Sequence, residues 1–271
     1  MVKAPAHPPV RKTAREPAGS WFGLRFGERG THTSRTVMLA ELSELMKFTD
    51  PTCGPDDYRR SIVDDNLLGK RTVATRKLTY QRLSELYGLD PGIPLFRVLR
   101  RLWNADHTGR PLLAFVVAFA RDPLLRMTAD VVLTVQVGQA VSTGDIDGGL
   151  ETRLGRRLNP SVRHKVARNA GSSWTQSGHL HGRARKRRAK ASASPSAACL
   201  ALLVAYSTGL RSRALFTSDW ARLLDTSYSE LVQLVQAANR AGLLNFRQVG
   251  DVVEIQFPTL LRPYEEALCH G

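Results

Sequence analysis

The sequence has no long apolar run. Its most apolar stretch, Pro111 to Ala120, is too short to cross a bilayer and is followed by Arg121 and Asp122. The first residues hold no apolar signal-peptide core, so the expectation is a cytoplasmic protein with no membrane partner. Cysteine is scarce. Cys53, Cys199 and Cys269 lie far apart, which suits reduced thiols and not a disulfide framework. The signatures of several large enzyme classes are missing: there is no GxxxxGKS/T, GxGxxG, GxSxG or HExxH. His179 and His181 stand two apart with no nearby cysteine or carboxylate pair, so no metal site is expected there. Cys269 and His270 are read as incidental. Asp56 with Asp57, Asp64 with Asp65, and Asp145 with Asp147 suit capping and solvation better than they suit a nuclease metal. These absences lead to the expectation of a protein without catalysis and without a cofactor.

The most informative absence is local. From Thr152 to Lys190 there is no Asp or Glu, yet the stretch carries twelve Lys and Arg in a chain of 271 residues with net charge +15. Charge at this density can neutralise a row of phosphates and release their counterions. The stretch reads in three parts. Asn159 to Trp174 is a cationic helix with an Asn cap and a Pro at its first position, and it displays Arg163, Lys165, Arg168 and Asn169. Ser172 to Gly182 reads as a polar loop. Within it Ser172, Ser173, Thr175, Gln176 and Ser177 suit hydrogen bonds to phosphates or bases. Trp174 is expected to pack partly inward and anchor the loop, leaving Thr175, Gln176 and His179 at the surface. Arg183 to Lys190 is a dense basic run with Arg183, Arg185, Lys186, Arg187, Arg188 and Lys190. A second basic segment, Leu67 to Arg82, offers Lys70, Arg71, Arg76 and Lys77. A solvated linker and an ordinary exposed helix face are the competing readings of the two segments. Duplex DNA is the first partner expected.

Three regions follow along the chain. Residues 1–33 are rich in Pro, Gly and basic residues and read as a flexible arm, with Trp21, Phe22, Leu24 and Phe26 tucked onto the core. Residues 34–190 form a multi-helix domain that includes the basic segment. Its helices are marked by apolar residues at helical spacing and by breaks at Pro51, Gly69, Gly88 and Gly138. Residues 191–271 change character: three helices are followed by strand-like runs at 243–249 and 252–257, joined by Gly250-Asp251. The fold class is therefore mainly α, ending in a winged-helix-like module with one β-hairpin. In the third helix of that module Gln233, Gln236, Asn239 and Arg240 suit base contacts, but Glu230 would oppose phosphate. The module accordingly either reads DNA or docks protein.

Several short motifs carry a family resemblance. Asp65-Asn66-Leu67-Leu68-Gly69-Lys70-Arg71-Thr72 with Thr75-Arg76, then Leu95-Phe96, then Ser172-Ser173-Trp174-Thr175-Gln176-Ser177-Gly178, resemble the BrxA-like proteins of BREX-type bacterial anti-phage systems. The resemblance covers roughly residues 35–257. It implies a small, mainly helical, non-enzymatic and nucleic-acid-binding protein with a NusB-like fold, acting beside a methyltransferase and other defence-system subunits. The basic insert Arg183 to Lys190 and the Pro-rich arm depart from that pattern. The functional expectation is a DNA-binding accessory protein. The alternatives are a scaffold with non-specific nucleic-acid affinity and an RNA-binding, antitermination-like factor.

Overall fold

Two helices that are apolar on every side, Arg110–Arg121 and Pro195–Ser207, form the centre of the molecule. A helix with no polar face has no side to give to water, so both are enclosed by the others. Leu112 to Ala120 are at most 1% exposed, and Ala197 to Ala205 are fully buried. A computed structural model describes residues 17–250 and 252–270, and the flexible-arm reading of residues 1–16 lies outside them.

The helices run in order as α1 (Leu39–Phe48), α2 (Pro55–Arg59), α3 (Val73–Tyr87), α4 (Pro94–Ala105), α5 (Arg110–Arg121), α6 (Pro123–Arg126) and α7 (Ala129–Leu133). Then come α8 (Thr143–Leu154), α9 (Pro160–Gln176), α10 (Pro195–Ser207), α11 (Arg213–Phe216), α12 (Asp219–Arg222), α13 (Tyr228–Arg240) and α14 (Pro263–His270). Local chemistry sets many of the starts. Thr72, Asp122, Ser142, Asn159, Ser194, Ser218 and Ser227 each accept a backbone N–H at a helix N-terminus. α2 passes into a π-helical turn at Arg60–Asp64, before the break at Gly69. After Asp122 the helical path is broken into α6 and α7 around Thr128.

The C-terminal hairpin falls where the alternating pattern places it. β4 (Asn245–Val249) pairs antiparallel with β5 (Val252–Gln256), and Val253 and Ile255 face inward. A second sheet was not expected from the sequence. β1 (Ala140–Val141), β2 (Leu180–His181) and β3 (Lys186–Arg188) form an antiparallel sheet in the order β1-β3-β2. Numbered along the chain, these strands precede β4. The basic run therefore contains a central strand and is not a linker throughout. Its turn depends on Gly182, at φ +96, where a Cβ would lie 2.2 Å from the Arg185 carbonyl oxygen.

One hydrophobic cluster extends from Phe22 to Cys269. α10 packs on α4 and α5 as well as on α12 and α13, so this core continues across residue 190. The segment before α1 is a strap that joins this body. Phe22 and His32 are fully buried, in line with the tucked reading of Trp21 to Phe26, although Phe26 itself is 46% exposed. Among the described residues no helix is long and apolar enough to cross a membrane.

Candidate nucleic-acid interface

α9 sorts the expected site residues by face. At 100° per residue, Ser161, His164, Lys165, Arg168, Ser172 and Thr175 share one side of the helix. The first four are exposed and the last two are half-buried. Among the described residues, neither Lys165 nor Arg168 has a carboxylate partner. The helix continues through Gln176, so the polar loop expected from Ser172 is its last turn. Beyond it the β2–β3 turn exposes Arg183 and Arg185, which also lack a carboxylate partner among the described residues. Lys186 lies against α9, donating from Nζ to Thr175 Oγ1 at 2.9 Å. Burial lowers its ammonium pKa. Arg187 is exposed and donates to the Gly138 carbonyl at 2.9 Å.

The opposite side of α9 is interior, which corrects part of the expected site. Ser173, Trp174, Ser177 and His179 are at most 4% exposed and cannot meet a nucleic acid from where they stand. Trp174 packs between Phe115 and His179, with ring centroids 4.5 and 4.9 Å away, and donates from Nε1 to Thr128 Oγ1 at 2.8 Å. The break between α6 and α7 is where this hydroxyl sits. His179, expected at the surface, donates from Nε2 to the Leu223 carbonyl at 2.9 Å and faces Ser177 Oγ through Nδ1 at 2.8 Å. A carbonyl can only accept, so Nε2 carries a proton. Burial pushes this histidine down to about 4.

Asn169 holds the strap and Gln176 holds the start of α1. Asn169 Nδ2 donates to the His32 carbonyl at 2.8 Å, and Gln176 Oε1 accepts the Leu39 N–H at 3.2 Å. Between them His32 sits with Nδ1 2.7 Å from Asp122 Oδ2 and Nε2 2.8 Å from Ser173 Oγ. This is the order of a Ser-His-Asp relay, and sequence reasoning missed it because 90 residues separate His32 from Asp122. Its hydroxyl is already engaged: Ser173 Oγ accepts the Val37 N–H and donates to the Asn169 carbonyl. The three side chains are at most 1% exposed, so the arrangement acts as an internal clamp and presents no nucleophile. Burial disfavours the Asp122 charge, but His32 and backbone N–H groups hold its carboxyl below the usual range. Gly30 lets the strap approach this carboxylate, since a Cβ there would fall 2.0 Å from Asp122 Oδ1.

Several expected cations are neutralised by carboxylates from outside their own segment. Arg163 binds Asp147 at 3.0 Å and Glu151 at 2.9 Å, both on α8. Arg188 is 2% exposed and meets Asp225 through Nη2 and Oδ1 at 2.7 Å. Lys190 pairs with Glu230 at 2.7 Å, in a pair that remains exposed. In the second basic segment Lys70 binds Glu41 at 3.0 Å, and Arg76 donates to the Lys70 and Val63 carbonyls. Arg71 and Lys77 remain exposed. The strap spans the two basic regions: Thr31 donates to Glu85 of α3 while His32 engages α9. What remains available at the surface is thus a smaller set than the sequence suggested, namely Lys165, Arg168, Ser172, Arg183, Arg185, Lys186 and Arg187. Among the described residues no group of three or more His, Cys, Asp or Glu converges to hold a metal. No protein-family model and no curated protein matches this chain.

Proposed function

We propose that the protein is a non-enzymatic nucleic-acid-binding accessory protein that grips duplex DNA by its phosphates. The observation that carries this reading is the row of cations on the outer face of α9 and the β2–β3 turn. Among the described residues, Lys165, Arg168, Arg183 and Arg185 stay solvent-exposed without carboxylate partners, in a segment where other cations are paired. A cation left in water beside a hydroxyl such as Ser172 is equipped for phosphate and carries no base code. The helix-rich C-terminal module with its hairpin fits a winged-helix-like reading, and α13 displays Gln233, Gln236, Asn239 and Arg240 outward. The resemblance to BrxA-like proteins supports a role beside other anti-phage subunits. The motif residues behind it mainly build turns and core: Asn66 and Gly69 have positive φ, and Phe96, Ser173 and Trp174 are buried. The resemblance therefore speaks for a shared fold more than for a shared contact surface.

The test is a fluorescence-anisotropy titration of labelled duplex at several salt concentrations. Replacing Lys165, Arg168, Arg183 and Arg185 together by Ala is expected to reduce the slope of log affinity against log salt by about 3–4 units. The loss should be alike on unrelated sequences. Equal slope and affinity in wild type and variant would remove this surface as the interface. A single-stranded RNA competitor that displaces duplex DNA would favour the antitermination-like alternative. A scaffold reading draws on one further observation: Val249 and Val252, paired at the tip of the β4–β5 hairpin, are 80% and 71% exposed. It predicts a co-purifying protein subunit that is lost when both valines become Glu.

A further inference from the structure

Beside the N-terminal end of α9, the strap opens two adjoining cavities that share Phe26 and Gly27. One, of about 460 Å³, is floored by Phe119, Pro123 and Met127. The other, of about 770 Å³, lies between the strap and Leu154 to Leu158. Six arginines and three carboxylates line the two together, so the groove is net cationic. Phe26 stands between the cavities and is 46% exposed. One side of its ring is organised by Arg126, whose guanidinium carbon lies 5.6 Å from the ring centre. Arg126 is itself fixed by the carbonyls of Phe119, Ala120 and Arg25 at 2.8, 3.0 and 2.6 Å.

We propose that this groove takes an unpaired nucleotide of a DNA strand, its base stacked on Phe26 and its phosphates held by Arg29, Arg153 and Arg157. The inference rests on the DNA-binding reading above and adds a second, separate subsite to it. An exposed aromatic ring in a cationic groove is the combination that holds single strands, because every base has a stacking face. Arg29 is exposed and, among the described residues, has no carboxylate partner. Arg157 pairs with Glu28, and Arg153 with Asp130, in surface contacts about half exposed on both sides. Such pairs contribute little in water, so a phosphate can replace the carboxylate at small cost. The position is also suitable. Arg157 lies just before Pro160, where α9 begins, and the 17 residues of α9 span about 25 Å. A strand that frays from a duplex lying along Lys165 and Arg168 therefore reaches the groove. An exposed helix face suits B-form DNA, whereas the deep, narrow major groove of A-form RNA excludes side chains.

The experiment uses the full chain and three labelled probes: a blunt duplex, the same duplex with a single-stranded DNA overhang, and that duplex with a ribonucleotide overhang. Wild type is expected to bind the DNA overhang more tightly than the blunt end. Phe26→Ala should lose about 5- to 150-fold of affinity for the overhang probe and leave blunt-duplex affinity unchanged. Phe26→Trp should restore the overhang affinity. A 2-aminopurine placed in the overhang should lose emission on wild type and keep it on Phe26→Ala. If Phe26→Ala binds both DNA probes as wild type does, the groove assignment is overturned. In that case, a weaker duplex grip in the Lys165, Arg168, Arg183, Arg185 variant would leave the outer-face reading standing alone. If the ribonucleotide overhang binds more tightly than the DNA one, the assignment to DNA is overturned. If wild type binds none of the probes, both readings fall.

Discussion

Two groups of polar residues lie next to each other in sequence, on α9 and the segment after it, and face opposite ways. Lys165 and Arg168 on α9 face water, and so do Arg183 and Arg185 on the β2–β3 turn. Ser173, Trp174, Ser177 and His179 face the core. Each inward group finds a partner: Trp174 at Thr128, His179 at Leu223, Ser173 at Val37 and Asn169, and Ser177 at the Trp174 carbonyl. A hydroxyl, an indole N–H or a neutral imidazole can be buried at small net cost once its hydrogen bonds are made. A guanidinium costs more to bury, and Arg188 enters the interior with the Asp225 carboxylate beside it and the His179 carbonyl as a further acceptor. The comparison teaches that polarity does not mark a contact surface. Unpaired charge is the better guide.

The comparison breaks most visibly at Trp174. Trp174→Ala is expected to cost about 3–5 kcal/mol of stability, measured by denaturant unfolding, with binding lost only as folding is lost. A variant of unchanged stability that no longer binds DNA would return Trp174 to the interface. Arg188 against Arg185 is the next contrast, since both belong to the same basic run. Arg188→Ala leaves Asp225 without its partner, and breaking a buried pair costs about 3–5 kcal/mol. The lower end applies here because Asp225 keeps 19% exposure. Arg185→Ala should leave stability within about 0.5 kcal/mol, and equal effects of the two substitutions in unfolding experiments would erase the contrast.

Acid sharpens the inner side. His179 has its folded value at about 4, below the ordinary histidine value of 6.5. A depressed folded value means that the unfolded chain takes up the proton first. The stability contribution is therefore complete above pH 6.5 and is lost as pH falls toward 4. The decline should reach at most about 1.4 kcal/mol per pH unit. His179→Gln, which keeps an N–H for Leu223, should remove it. Asp122 and Asp225, both lowered despite burial, extend the loss to more acidic pH by the same sign. A stability profile flat from pH 6.5 to 4 in the wild type would contradict the buried neutral ring. The smallest expected effect belongs to the second basic segment. Lys77 is exposed, so Lys77→Ala should leave the melting temperature unchanged and lower the salt slope by about 0.9 if α3 also meets phosphate. An unchanged slope would confine the grip to α9 and its turn.

Much of the architecture is legible in the sequence. The caps at Thr72, Asp122, Asn159 and Ser227 and the prolines at 55, 94, 123 and 160 place helix starts through chemistry within a few residues. The alternation of Val253, Ile255 and Phe257 identifies the hairpin in the same way. The small sheet was not legible, because β1 and β2 are two residues each and β3 is three. A period cannot be read from so few positions, and Lys186 to Arg188 look like solvated charge until their aliphatic stems are laid against α9 and β1.

Local sequence therefore determined the helices, the hairpin and the excess of positive charge, since each depends on neighbours along the chain. Only the tertiary structure decided which cations keep their charge free and which polar side chains turn inward. Asp147 reaches Arg163 across 16 residues, Asp225 reaches Arg188 across 37, and Asp122 reaches His32 across 90. Charge pairing depends on distance in space and on exclusion of water, and neither exists until the helices have packed.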